Sequence, residues 1–150
     1  MRRWKKSMTL TNVLIDTNIC LDAAQRRKPF YSNALRIIEI SQFGNISGWI
    51  AAHSVDTIFY ILKNNNSKKE VYTVLNGLRR AFKIAPVTQS IIDAALNLKW
   101  DDFEDAVHHE AARAVGCQAI ITRNKTDFKD ADLQVFSPQE FLDEINGQGT

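Results

Sequence analysis

The chain has 150 residues, of which 45% are hydrophobic and 24% are charged, as expected for one globular domain. No apolar run approaches the roughly 20 residues that a membrane-spanning helix needs, which argues against a membrane protein. The first eight residues hold four of the 19 basic residues, so the other 15 face 17 acidic ones, which argues against a polycation that binds nucleic acid without specificity.

Three segments are predicted from composition. We expect residues 1–10 to be a basic, flexible leader, residues 11–145 to form the domain, and residues 146–150 to be a loose end. The basic start is not followed by an apolar signal-peptide core. Cys20 and Cys117 lie in apolar segments without the spacing of metal ligands. These features predict a cytoplasmic protein with reduced thiols.

The first predicted strand, residues 11–16, ends in a charge. Its apolar run, residues 13–15, leads directly into Asp16, Thr17 and Asn18. A carboxylate in this position lies in water at the mouth of a sheet, binds a cation, or caps the next helix. This stretch alone leaves the three interpretations open.

The rest of the chain alternates between helical and extended patterns. Further strands are predicted at 46–52, 84–87, 117–122 and 133–136. Helices are predicted at 18–25, from Pro29 to Gly44, at 54–62 with Ser54 as cap, from the capping box at 67–70 to residue 82, from Thr88 to Leu98, from the acidic cluster at 101–105 to Val115, and from a second capping box at 137–140 to Ile145. The fold class is therefore α/β, a single domain with a mostly parallel sheet of about five strands flanked by helices.

Three acidic residues share one predicted position in this fold. Asp16 follows the first strand, Asp105 opens the helix before the fourth strand, and Asp127 follows that strand. Carboxylates that converge repel one another unless a hard cation lies among them, and Mg²⁺ or Mn²⁺ suits an all-oxygen site. Asn18 and Asn124 add neutral oxygen ligands. Taken singly, each acid is better explained as a helix-start or turn residue; it is their coincidence that favours a metal site.

The histidines predict no zinc site. His109 follows Asp105 by one helical turn, so an Asp/His metal pair is geometrically possible. Neither His108 nor His109 has a second ligand at an obvious spacing, and His53 is far away in the sequence. The chain also lacks a glycine-rich phosphate loop, a nucleophile elbow and a Cys/His nucleophile pair.

Three stretches resemble the PIN domain, a family of metal-dependent nucleases that includes the toxins of many bacterial toxin–antitoxin pairs. They are residues 14–18, 102–106, and 120–124 with Asp127 and Phe128, in the order and separation of the family's first, third and fourth motifs. The resemblance covers residues 11–145. It implies an acidic pocket that binds Mg²⁺ or Mn²⁺ and hydrolysis of RNA phosphodiester bonds. Carried over, Asp16 and Asp105 become metal ligands, and either Asn124 or Asp127 takes the fourth-motif position.

The second motif departs from the family pattern. Members commonly place a glutamate in the helix after strand two, where this chain has Thr57, and the nearest acid is Asp56. One residue along a helix is about 100° of rotation, so we expect Thr57 to face the pocket and Asp56 to point elsewhere. Asn18, Asp56, Thr57 and Glu104 are candidates for supporting positions around the ligands.

Two further hypotheses compete with a ribonuclease. A PIN-like module with weakened catalysis, acting through RNA or protein contacts, is favoured by Thr57, whereas the three aspartates favour the enzyme. A dehalogenase-like phosphatase also begins with an aspartate at a strand end, but it requires a second aspartate where Asn18 stands.

Surplus aromatic residues predict protein partners. Large contiguous apolar surfaces usually mark interfaces, and a domain of this size does not easily bury every aromatic side chain of its early helices. We expect Phe59 in the core and Tyr31 and Tyr60 at an interface, with Phe30 and Tyr72 as further candidates. Together with the family resemblance, this predicts a homodimer and an antitoxin segment bound along a groove near the acidic pocket.

Overall fold

The fold is built on one parallel β-sheet. A computed structural model of the chain describes residues 9–148. The strands are β1 (Asn12–Ile15), β2 (Ser47–Ala51), β3 (Phe82–Ala85), β4 (Ala119–Ile121) and β5 (Gln134–Phe136). They lie in the order β3-β2-β1-β4-β5, and all four neighbouring pairs are parallel. The predicted α/β class is confirmed, and every connection between strands must cross over the sheet.

Seven helices cover the two faces of this sheet in the described part of the chain. They are α1 (Thr17–Ala24), α2 (Tyr31–Phe43), α3 (Ala52–Leu62), α4 (Lys68–Ala81), α5 (Gln89–Leu98), α6 (Phe103–Ala114) and α7 (Pro138–Gln148), and a 3₁₀ turn covers Lys125–Phe128. Helices α1, α2, α3, α4 and α7 contribute to one apolar cluster, and α5 and α6 to the other.

Strand β1 is the centre of the molecule because it pairs with β2 on one side and β4 on the other. Val13 and Ile15 belong to one apolar cluster and Leu14 to the other, so successive side chains alternate between the faces. All three are at most 1% exposed. A strand buried on both faces needs a continuous apolar run, which explains the pattern of residues 13–15.

Local capping chemistry sets several helix ends as predicted. Ser67 and Glu70 form a reciprocal capping box at the start of α4, and the hydroxyl of Thr88 accepts the backbone N–H of Ile91. At the start of α7, Glu140 accepts the N–H of Ser137 at 2.8 Å. Gly116 ends α6 with a φ of +81°, a conformation that glycine adopts without strain.

Helix α3 differs from the prediction at its start. It begins at Ala52, directly after β2, so Ser54 lies inside the helix and does not cap it. The side chain of Ser54 is fully buried. The apolar run from Ile50 leaves no polar residue at the cap position, which Ala51 occupies without a side-chain bond. Tertiary packing, not capping, therefore sets this helix end.

Two other boundaries also shift. Strand β3 covers Phe82–Ala85 and not residues 84–87, because Pro86 has no N–H for the sheet ladder while Phe82 already pairs with Gly48. Helix α7 continues to Gln148, beyond its predicted end at Ile145.

The predicted leader, residues 1–10, lies outside the described residues except for Thr9 and Leu10. Leu10 is buried in the core, and the Thr9 carbonyl accepts a hydrogen bond from Gln118. Across residues 9–148, the helices are too short or too polar for any of them to cross a membrane.

Candidate metal centre

Asp16 lies at the carboxyl end of the central strand. Its backbone N–H still donates to Ile121 of β4 at 3.0 Å. It occupies the N-cap position of α1, but its side chain makes no capping bond. Instead, Oδ2 accepts the hydroxyl of Thr122 at 2.7 Å, and the residue is only 6% exposed. Among the described residues no cationic side chain pairs with Asp16, so this buried carboxylate has a neutral partner and no counter-charge.

Asp105 reaches the same end of the sheet from α6. Asp102 caps this helix by accepting the backbone N–H of Asp105 at 3.0 Å, which fixes Asp105 in the first turn. Burial raises the pKa of Asp105 to about 8, and the nearby carboxylates of Asp16, Asp102, Asp127 and Glu104 add to the rise. The pocket is therefore strongly electronegative, and a cation would relieve the repulsion that raises this pKa.

The ligand atoms form two groups that share Asp105. Asp16, Asp105 and His108 make one group, and Asp102, Asp105 and Asp127 make the other; within each group all ligand atoms lie within 4.8 Å of one another. The first group is buried, whereas Asp102 and Asp127 are exposed. Asp105 thus connects a buried position beside Asp16 with an outer position beside Asp127.

His108 is held by hydrogen bonds at both ring nitrogens. Nδ1 lies 2.9 Å from the Glu104 carbonyl oxygen, which can only accept, so Nδ1 carries the proton. Nε2 then accepts, with the hydroxyls of Ser54 at 3.2 Å and Thr17 at 3.4 Å. A nitrogen engaged in this way is not free for a metal, so the available donors are carboxylate oxygens. This donor set fits Mg²⁺ or Mn²⁺ and not zinc.

His109 is likewise engaged. Its Nε2 accepts the backbone N–H of Asp132 at 3.0 Å, so Nδ1 bears the proton and donates it to Glu110 at 2.7 Å. The ring joins α6 to the segment before β5 and lies outside both groups of ligand atoms.

The two candidate amide ligands make no side-chain bond to the acidic residues within residues 9–148. Asn18 is half-buried in the first turn of α1. Asn124 is exposed, and its backbone N–H donates to the Thr122 hydroxyl at 3.0 Å. The structure thus places Asn124 beside the residue that holds Asp16.

Within residues 9–148, Asp56 belongs to neither group of ligand atoms and Thr57 has no hydrogen bond to an acidic residue. Asp56 is exposed, and the Thr57 hydroxyl donates to the carbonyl of His53 in its own helix at 3.3 Å. The side chain that α3 contributes is Ser54, whose hydroxyl lies 2.7 Å from that of Thr17. Glu104 is exposed, with Oε2 3.8 Å from Nε2 of His53.

Sequence reasoning missed the residues that hold the acids in place, namely Thr17, Ser54, Asp102, His108 and Thr122. Thr122 lies beside Asp16 because Ile15 is opposite Ile121 in the sheet, a register that the sequence does not contain. His53 was also missed. Its ring centroid lies 4.6 Å from that of His108. Its buried ring nitrogens have no hydrogen-bond partner among the described residues. Burial, and to a smaller extent the charge of the nearby His108, lowers the pKa of His53 to about 4.

The chain resembles solved structures of known toxins in fold. A toxin–antitoxin complex from Klebsiella pneumoniae contains a chain with 22% identity and a TM-score of 0.65, covering 84% of this chain and 97% of that one. DNA-bound VapBC from Salmonella typhimurium contains a chain with 12% identity and a TM-score of 0.67, and the match covers 86% of this chain and 99% of that one. VapC20 of Mycobacterium tuberculosis is described as a sarcin–ricin loop cleaving toxin. It has 15% identity and a TM-score of 0.57, and the match covers 72% of this chain and 86% of VapC20.

Sequence comparison identifies the family. Among curated proteins none matches the chain significantly. The sequence profile described as the PIN domain matches residues 12–126, a span that contains β1, α6 and β4 with the acidic residues at their ends, though it stops one residue short of Asp127. The chain therefore belongs to the PIN-domain family.

Proposed function

We propose that the chain is a ribonuclease that hydrolyses RNA phosphodiester bonds with Mg²⁺ or Mn²⁺, and that it is the toxin of a toxin–antitoxin pair. The observation that carries the proposal is the convergence of Asp16 and Asp105, both buried, at the carboxyl edge of a PIN-family sheet. Burying two acids without a cationic partner is unfavourable, and a role as metal ligands explains why both are found there.

Asp16, Asp105 and Asp127 are the proposed ligands, with Asp102 beside the outer position. When bound, Mg²⁺ or Mn²⁺ supplies positive charge that stabilises the phosphate in the transition state and favours deprotonation of the attacking water. Asp105 must lose its proton to act as a ligand, and its raised pKa makes that loss dependent on pH. Asn124, exposed at the same edge, is proposed to contact the RNA or the water.

The other residues of the site fix its geometry. Thr122 donates to Oδ2 of Asp16 and so orients this carboxylate, which would hold the metal. The hydroxyls of Thr17 and Ser54 together with the ring of His108 join α1, α3 and α6 behind the acids. Because these side chains are buried, they hold the carboxylates on rigid elements and keep bulk water away from that side.

The similarity in fold to structures of toxin–antitoxin proteins supports the proposed antitoxin partner and RNA substrate. The structure from Klebsiella pneumoniae is described as a toxin–antitoxin complex, that from Salmonella typhimurium as DNA-bound VapBC, and VapC20 as a sarcin–ricin loop cleaving toxin. We extend to this chain an antitoxin partner, an RNA substrate and action in the cytoplasm.

An exposed aromatic patch, defined as Phe59, Tyr60 and Tyr72, supports the proposed homodimer. Tyr60 is 60% exposed and Tyr72 48%, and both contact the half-buried Phe59 edge to face. Tyr31, also predicted at an interface, is half-buried. A two-fold contact through the patch would bury surface that a monomer leaves in water.

The alternative is a PIN module with weakened catalysis that acts by binding. One observation favours it: among the described residues, α3 contributes no carboxylate to either group of ligand atoms. Such a protein would bind RNA but cleave it slowly or not at all with either metal.

Substitution of Asp16 tests the proposal. We expect wild-type protein to cleave single-stranded RNA with Mn²⁺ or Mg²⁺ and to lose this activity in a chelator. Asp16→Asn should lower the rate at least a hundredfold, because it removes ligand charge at constant size. Asp93→Asn, an exposed change on α5, is the matched control. Cleavage by Asp16→Asn at the wild-type rate would show that the assigned site is wrong, and metal-independent RNA binding without cleavage would favour the binding module.

A further inference from the structure

A second cavity opens on the other side of the β4 strand end. It has a volume of about 320 Å³, and its lining includes Pro29, Phe30, Asn33, Arg123, Pro138 and Gln139. These residues come from the segment before α2, the end of β4 and the start of α7. The lining combines apolar rings with a guanidinium group and two amides, and nothing in the proposed catalytic chemistry uses it.

The guanidinium group in this cavity is held rigidly. Arg123 donates from Nε and Nη2 to the two carboxylate oxygens of Asp22, at 2.7 and 3.0 Å. Asp22 is 1% exposed and also lies 3.6 Å from Nη1 of Arg27. A bidentate pair with a buried carboxylate fixes the plane of the guanidinium group. Within residues 9–148 Nη1 of Arg123 has no protein acceptor, so its two N–H groups remain available.

The aromatic ring of Phe30 packs against this guanidinium group. The guanidinium carbon of Arg123 lies 3.9 Å from the centroid of the Phe30 ring. Phe30 is 38% exposed although it is fully apolar. Asn33 donates its amide N–H to Gln139 at 3.3 Å, which leaves its own carbonyl oxygen as an acceptor at the cavity wall. The cavity therefore offers a stacking surface together with fixed donors and an acceptor.

The cavity and the acidic site share one short stretch of chain. Thr122 donates to Asp16, Arg123 is the next residue, and the N–H of Asn124 donates back to the Thr122 hydroxyl. Successive Cα atoms are about 3.8 Å apart, so the acidic site and the cavity border on consecutive residues, Thr122 and Arg123. A single strand of RNA with a phosphate at the acids thus reaches the cavity with a neighbouring base.

We propose that this cavity binds one unstacked nucleobase of the RNA substrate, adjacent to the phosphodiester bond that is cleaved. The inference rests on the proposed ribonuclease function and adds a substrate subsite to it. Single-stranded RNA is generally read by stacking of bases on aromatic rings or arginine planes and by hydrogen bonds to base edges. A base fits better than a phosphate, because Asp22 pairs with Arg123 and the other walls are apolar rings and neutral polar groups.

The test measures RNA binding in a chelator, where no cleavage occurs. Binding of a short, fluorescently labelled single-stranded RNA to full-length protein is followed by anisotropy. Phe30→Ala should raise Kd roughly 5- to 150-fold, the range expected for loss of one base stack. Phe30→Tyr keeps the ring and should bind like wild type. Phe43→Ala, at the other end of α2 and 80% exposed, is the matched control and should leave Kd unchanged.

A series of RNAs with one abasic position needs no protein variant. Wild-type protein should lose affinity at one position by the factor seen for Phe30→Ala, and Phe30→Ala should be insensitive to that position. Equal Kd values for Phe30→Ala and Phe43→Ala, or no sensitive position in wild type, would overturn the subsite. Loss of antitoxin binding by Phe30→Ala with unchanged RNA binding would also overturn it in favour of a protein site.

The two proposals fail separately in this design. RNA binding that depends on Phe30 without any cleavage in Mn²⁺ would refute the ribonuclease and keep the base site. Cleavage at the wild-type rate and KM by Phe30→Ala would refute the base site and keep the ribonuclease.

Discussion

The hydroxyl of Thr122 contributes to the site without being a proposed ligand. It donates to Asp16 and accepts the backbone N–H of Asn124, so it fixes both the carboxylate and the start of the next loop. Thr122→Val keeps the shape and removes both bonds. We expect Mn²⁺ affinity to fall roughly 10- to 100-fold, the usual effect of losing a partner of a metal ligand. Titration calorimetry measures it, with the exposed change Thr73→Val on α4 as control; equal affinities would contradict the assigned role of Thr122.

The raised pKa of Asp105 makes the stability of metal-free protein depend on pH. An unfolded aspartate has a pKa near 3.8, whereas the folded value is about 8. The folded state therefore holds this proton more tightly, and the associated stability is present below about pH 4 and lost as the pH rises through 8. Asp105→Asn stays neutral and avoids this loss.

We expect the Tm of Asp105→Asn to exceed that of wild type by an amount that grows between pH 5 and pH 8.5 in a chelator. Added Mn²⁺ should raise the wild-type Tm and leave the variant nearly unchanged, since the variant has lost a ligand charge. Differential scanning fluorimetry at both pH values measures this. A Tm difference that stays constant with pH would mean that folding does not raise the pKa of Asp105.

At the residue scale, the sequence was informative where a charged residue stands directly after an apolar run. Asp16 ends an apolar run, which made it a candidate, and the similar placement of Asp105 and Asp127 then favoured a metal site. The roles of Ser54 and His108 left no such trace, because their bonds join α1, α3 and α6, elements far apart along the chain. A serine near a predicted helix start reads as a cap, and only the packing of α3 directly onto β2 shows otherwise.

At the scale of elements, a buried ion pair joins the end of β4 to α1. Arg123→Met leaves Asp22 buried with only the more distant Arg27, so we expect the free energy of unfolding to fall by about 3 to 5 kcal/mol. Lys125, two residues after Arg123, forms an exposed ion pair with Glu140. Lys125→Met removes this pair and should lower the free energy of unfolding by less than about 1 kcal/mol. Chemical denaturation measures both. Similar costs for the two variants would contradict the structural importance of the buried pair.

Element types were predictable because local chemistry and tertiary packing agree along most of the chain. The capping boxes at Ser67 and Ser137 and the apolar run of β1 specify their elements within a few residues. Strand β3 shifted by two residues because its ladder partner in β2, and not its own apolar pattern, decides where pairing begins. Register of this kind depends on a neighbour that the local sequence does not contain.

For the whole molecule we predict a homodimer formed through the aromatic patch. Light scattering during gel filtration should give about twice the 17.0 kDa of one chain at micromolar concentration. Tyr60→Glu should produce monomers, because a charge in the patch opposes its burial. Leu96→Glu changes a comparably exposed residue, 57% against 60%, on α5 and serves as control. A wild-type protein of single-chain mass would rule the dimer out.

The pairing of β1 with β4 has a consequence for how the protein is made. Asp16 leaves the ribosome before its neighbour in β4, its hydroxyl partner Thr122 and the proposed ligands Asp105 and Asp127, all of which lie much further along the chain. Domains emerge from the ribosome N-terminus first, so the acidic site does not exist on a nascent chain that is still short of these residues. On the proposed function, synthesis itself delays activity: the ribosome must have passed Asp127 before the product can cut any RNA.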